Sequence, residues 1–145
     1  MKKYILFLLL LSAHFAQAQK IPKKKQVIKT MRQTNQYFMD LWPDAGKPIF
    51  TNIERPSNIW TRAVYYEGLM ALYQIDKKKA YYDYTLQWGE NYKWGLRGGI
   101  KTRNADNQCC GQTYIDMYLL DGKQHPERAR DIKACTDSMK IPPKV

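Results

Sequence analysis

The strongest constraint on this chain is its punctuation. Apolar residues recur at helical spacing in runs several turns long, and clusters of Pro, Gly and Asn separate the runs. The first run covers about Gln26 to Leu41, with Val27, Met31, Phe38 and Leu41 near one face, and it stops before Pro43. A loop from Pro43 to Asn58, holding Gly46, Pro48 and Pro56, leads to a second helix from near Ser57 to about Ile75. A third covers about Lys79 to Tyr92, and Gly98-Gly99 lies in the loop after it. The fourth begins near Asp106 and ends before Gly122. The fifth starts at Pro126, a residue suited to a first turn, and runs to about Met139. No segment sustains the alternation of a strand, so the pattern predicts an all-α chain of helical hairpins, about five helices in all. No fixed-period repeat supports a solenoid.

The first residues carry a different message. Lys2 and Lys3, the apolar run Tyr4 to Leu11 and the small residues ending Ala16-Gln17-Ala18 make the pattern of a secretory signal peptide. That run is well short of the roughly 20 residues a bilayer-spanning helix requires. Residues 1–18 are therefore expected to leave as a leader, releasing Gln19 to Val145 as an exported protein, periplasmic or secreted, without a membrane anchor.

The formal net charge is +11, and loss of Lys2 and Lys3 with the leader would bring it to +9. Such an excess favours acidic partners. The basic residues are spread out apart from Lys23 to Lys25 and Lys77 to Lys79, so an anionic polysaccharide fits an exported protein better than nucleic acid does. A solvated lysine face with no partner is the plain alternative. Cys109, Cys110 and Cys135 lack the paired spacing of a zinc site and are too few for a disulfide framework. They read as small buried hydrophobes, with a Cys110 to Cys135 bridge left open. No metal or phosphate-loop pattern occurs, and neither His14 nor His125 is placed to act as a base.

Polar chemistry concentrates in NADNQCCGQTYIDMYLLD, Asn104 to Asp121, where a carboxylate, amides and thiols stand at the start of an apolar helix. Asp106 and Asn107 fall at the helix mouth, where free N–H groups favour a carboxylate, while Ile115, Tyr118 and Leu119 recur at helical spacing behind them. On the second helix Trp60, Val64 and Gly68 form one stripe, and Ile59, Ala63, Met70 and Tyr73 an adjacent one, so either stripe can be the packed face. Asp83, Glu90 and Asp116 read as surface charges.

Taken with RPSNIWTRAVYYEGLMALY (Arg55 to Tyr73) and YYDYTLQWGENYKWGLR (Tyr81 to Arg97), the Asn104 block resembles the N-terminal part of glycoside hydrolase family 105. Those enzymes are the unsaturated rhamnogalacturonyl hydrolases, related to the unsaturated glucuronyl hydrolases of family 88. The resemblance runs from about Gln26 to about Lys140. It implies an α/α toroid of about six inner and six outer helices around a central pocket. It also implies removal of an unsaturated galacturonyl residue from a rhamnogalacturonan fragment, with no cofactor. Asp106 lies where the related hydrolases carry an active-site aspartate, and Trp60, Arg62, Tyr65, Tyr66 and Asn107 are placed near substrate.

Each role has a chemical reason. A guanidinium such as Arg62 can grip a uronate carboxylate bidentately, the alternative being an ion pair with Glu67 or Glu54. Aromatic faces can stack on pyranose rings, the alternative being packing between helices. The family's second, acid/base aspartate has no counterpart here. Asp131 and Asp137 sit in no matching motif, and five helices do not close such a ring, so the sequence reads as a partial (α/α)6 toroid, truncated and expected to be inactive alone. Its uncovered apolar faces would favour association, though the sequence sets no oligomeric state. The competing expectations are a non-catalytic helical carbohydrate-binding or scaffolding protein of the cell envelope, and a cationic protein acting at envelope surfaces.

Overall fold

The computed structural model describes residues 21–50 and 52–139. The expected leader, Cys135's side chain and the residues after Met139 lie outside the described set. Backbone contacts divide the chain into two units, Met1–Met31 and Arg32–Val145. Within the first, the described residues make the opening turns of a helix, with Gln26 and Val27 donating to the Lys23 carbonyl.

The elements are α1 (Lys24–Leu41), β1 (Ile49–Phe50), β2 (Glu54–Arg55), α2 (Trp60–Ile75), α3 (Lys79–Asn91), α4 (Ala105–Gln108), α5 (Cys110–Asp121) and α6 (Pro126–Met139). The chain is all-α in its architecture, as the periodicity predicts. Two details differ. The fourth predicted helix is split at Cys109 into α4 and α5, and the Pro43 to Asn58 loop holds a two-residue antiparallel hairpin, with Ile49 opposite Arg55 and Phe50 opposite Glu54. A strand that short has no alternation for a sequence reading to detect. Among the described residues, no helix is long and apolar enough to cross a membrane.

Helix α2 is the hub, packing on α3 through the three-residue turn 76–78 and on α5 across the sequence, while α5 in turn packs on α6. The core is aromatic. Tyr66 stacks on Trp88 with centroids 4.0 Å apart and planes within 13°. Trp88 meets Tyr114 at 5.4 Å, and Tyr114 meets Trp94 edge-on at 5.4 Å. At the other end of this ladder Phe38 lies 5.0 Å from Tyr65 and 5.3 Å from Trp42. Burying Tyr66, Trp88 and Tyr114 completely removes a large apolar area from water, the main stabilising term for this layer.

Which stripe of each helix faces inward is the main correction to the sequence reading. On α1, Val27 and Leu41 are exposed while Asn35 is buried, its Oδ1 accepting from the Tyr65 hydroxyl at 2.8 Å. On α5 the buried residues are Cys110, Gly111, Thr113, Tyr114 and Met117, whereas Tyr118 and Leu119 are exposed, Leu119 to 74%.

The loop into α2 is pinned to the far end of α3. Ser57 Oγ donates to the Ala45 carbonyl at 2.9 Å, Trp88 Nε1 donates to the Ser57 carbonyl at 3.0 Å, and the Tyr92 hydroxyl donates to the Gly46 carbonyl at 3.1 Å. A Cβ on Gly46 would collide with the Asn91 side chain, so glycine is what allows the loop this close. These bonds set where α2 begins, at Trp60 rather than Ser57. After α3 the chain turns through two left-handed residues, Lys93 (φ 50) and Trp94 (φ 56), strain of the order of 1–2 kcal/mol each that is offset by burying the Trp94 ring beside Gly89.

Candidate active site

The open side of α2 starts at Trp60, 45% exposed, and continues through Val64 and Gly68. A Cβ built on Gly68 meets nothing within 4 Å, so this helical glycine serves no close packing. The stripe Trp60, Val64, Gly68 is therefore the accessible one, and Ile59, Ala63 and Met70 are the packed one.

Helix α4 packs against α2. Asp106 is exposed in its first turn, and the cap position belongs to Asn104, which makes no side-chain cap bond. Asp106 is thus the second residue of the helix, in line with its place at the helix mouth. The Gly98-Gly99 turn, with φ of 79 and 74, brings Thr102 under α4. There Asn107 Nδ2 donates to Thr102 Oγ1 at 3.3 Å and Gln108 Nε2 to the Thr102 carbonyl at 3.0 Å. Asn107 is half-buried and its amide helps hold the helix that carries Asp106.

Cys109 joins α4 to α5, its Sγ donating to the Ala105 carbonyl at 3.3 Å. Burial pushes its pKa up, and the charges of Glu67 and Asp106 push it further in the same direction. Further along the α2–α5 groove, Asp116 is half-buried beside Met70, Gln74, Leu119 and Leu120, and burial holds its carboxyl above the usual range against a lowering hydrogen bond from Gln112. It is not the plain surface charge expected.

Three of the expected substrate contacts lie elsewhere. Arg62 is 2% exposed. Its Nη2 donates to the hydroxyls of Tyr66 and Tyr84 at 3.1 Å each, and its guanidinium carbon lies 4.7 Å from the centroid of the Trp42 ring. Tyr84 passes the bond on to the Trp42 carbonyl at 2.5 Å, tying α3 to the end of α1. Neither a rim position nor an ion pair with Glu67 or Glu54 describes Arg62 among the described residues, because the aromatic shell holds its charge instead. Tyr66 is fully buried and Tyr65 half-buried, and burial pushes both phenols well above their ordinary range. Trp60 and Asp106 are exposed and Asn107 is half-buried, while Arg62 and Tyr66 are buried and Tyr65 is half-buried.

Among the described residues no three His, Cys, Asp or Glu side chains come together to hold a metal ion. Cys109 and Cys110 are free thiols.

The sequence model of glycosyl hydrolase family 88 matches residues 24–144. The chain belongs to this family. No curated protein and no solved structure matches it. The match takes in every element from α1 to α6.

Proposed function

We propose that the protein is an exported glycosidase that removes unsaturated galacturonyl residues from rhamnogalacturonan oligosaccharides, the products of a lyase. The observation that carries this reading is the family 88 match together with an exposed Asp106 in the first turn of α4, a helix that packs on α2. In the proposed reaction a carboxyl group delivers a proton to C4 of the C4=C5 enol ether. Water adds at C5, and the hemiketal so formed collapses with loss of the adjoining sugar. Displacement at the anomeric carbon by a carboxylate pair is not required. Asp106 supplies the negative charge that keeps a neighbouring carboxyl protonated near neutral pH. Trp60 offers an exposed ring for a pyranose face, and Asn107 an amide for a hydroxyl. Nothing in this chemistry calls for a cofactor.

The test uses the natural full-length protein and two unsaturated disaccharides, one ending in galacturonyl-rhamnose and one in glucuronyl-hexosamine. Loss of the enol-ether absorbance faster on the first supports the reading. Consumption of only the second reassigns the enzyme to glucuronyl substrates, and no consumption of either favours a non-catalytic carbohydrate-binding protein. Mass spectrometry of the exported protein should find Gln19 at its N-terminus. Retention of Met1 to Ala18 would remove export from the proposal.

A further inference from the structure

The far end of α2 lines a cleft together with the start of α3 and the end of α5. Tyr73 lies thirteen residues beyond Trp60 on α2, about 20 Å at the rise of a helix, so this cleft is well separated from Trp60. It has a volume of about 370 Å³, within the range of roughly 300–1,000 Å³ usual for small ligands.

One wall is a pair of tilted rings, Tyr73 and Tyr82, with centroids 6.1 Å apart, and Leu120 adds apolar surface. Lys77 holds its ammonium 4.6 Å over the Tyr73 ring and makes no ion pair among the described residues. Lys79, its ammonium 2.6 Å from Asp83, stands on the same rim, with Gln124 and His125 on the other lip. The carboxylate lining the cleft, Asp121, is already spoken for. Arg128 Nη1 donates to its two oxygens at 2.7 and 2.9 Å, and the Tyr82 hydroxyl donates to it as well. The unpaired charge left for a ligand is therefore positive, on Lys77, with Lys79 beside it held by both oxygens of Asp83.

From this arrangement we infer that the cleft at the α2–α3 and α5–α6 turns is a secondary binding site for an acidic sugar. A pyranose face rests on Tyr73 and Leu120, and its carboxylate meets the Lys77 and Lys79 ammonium groups. Gln124 supplies an amide to ring hydroxyls. The inference does not rest on the role given to Asp106.

Binding of saturated trigalacturonate, which has no C4=C5 bond to hydrolyse, to the whole protein by calorimetry at low ionic strength tests it. The Asp106→Asn variant should still bind at this cleft, and the Lys77→Gln/Lys79→Gln variant should bind there about tenfold more weakly. Both lysines are exposed, so a matching circular dichroism spectrum and melt are expected and checked alongside. Inorganic phosphate and neutral xylotriose are the comparison ligands. Weak competition by phosphate and none by xylotriose supports a site that reads ring and charge together. Unchanged affinity in the double-lysine variant overturns the inference, and so does phosphate competing as well as the sugar does.

Discussion

The two faces of helix α2 make the most instructive comparison in the molecule. One face carries Arg62, Tyr66, Leu69 and Met70, all buried, and it is where α3 and α5 lean on the helix. The other carries Trp60, Val64 and Gly68, all exposed, with Glu67 beside them. Both faces are rich in apolar or aromatic residues, and the only arginine of the helix is on the buried one. Hydropathy alone therefore ranks them wrongly. What separates them is shape. The buried face meets rings that stack, as Tyr66 does on Trp88, whereas the open face includes a glycine with nothing above it. The first face holds the fold and the second is left open.

If that division is right, truncations on the two faces differ sharply in cost. Tyr66→Ala should destabilise the protein by about 3–5 kcal/mol, since it removes a fully buried ring from the centre of the aromatic ladder. Trp60→Ala should change stability by no more than about 0.5–1 kcal/mol. Urea melts of the two variants check this, and equal losses would break the comparison.

Glycine substitutions sharpen it at smaller amplitude and with opposite signs. A Cβ on Gly89 would lie 2.4 Å from the Trp94 ring, so Gly89→Ala should cost about 1–3 kcal/mol. Gly68→Ala fills open space on a helix and should stabilise by up to about 1 kcal/mol. Thermal melts with matching signs for the two would contradict the assignment of faces.

The smallest effect is chemical. Cys109, half-exposed, and Cys110, fully buried, are sequence neighbours on either side of the same division. Both thiols have raised pKa values, Cys110 to about 11 by burial, so both are mostly protonated at pH 7 and react slowly. Raising the pH toward 9 should speed alkylation of Cys109 first, as followed by peptide mass spectrometry. Burial favours the neutral Cys110 thiol, so its contribution to stability is complete below the ordinary value of 9.0 and is lost as pH rises toward 11. Alkylation of Cys110 ahead of Cys109 would reverse the picture.

Much of the framework was legible. The Pro126 start and Met139 end of α6, the Lys79 start of α3 and the stop of α1 before Pro43 follow from residues whose backbone limits or end-of-helix preferences act locally. Facing was less legible, because Ile115, Tyr118 and Leu119 repeat at helical spacing as regularly as Cys110, Tyr114 and Met117 do, and periodicity does not say which set meets a neighbour. Arg62 shows why the site was harder still. It shares the spacing of Tyr66, Leu69 and Met70, but its charge argued for a place near substrate. Only the tertiary arrangement shows that Trp42, Tyr66 and Tyr84 accommodate a guanidinium there. The start of α4 near Asp106 was legible because its neighbours Asn104 and Asn107 and the Gly98-Gly99 turn are local signals of an exposed helix start.

The central claim is that the open face is where the glycosidase chemistry occurs, with Asp106 its charge. The direct measurement is turnover of unsaturated rhamnogalacturonan disaccharide by the natural full-length protein and its Asp106→Asn variant, each beside a thermal melt. The substitution keeps size and removes charge at an exposed position, so the melt should be unchanged while turnover falls by about 100-fold or more. An Asp106→Asn protein that turns over like its parent would contradict the claim and leave Asp106 as an ordinary first-turn carboxylate of α4.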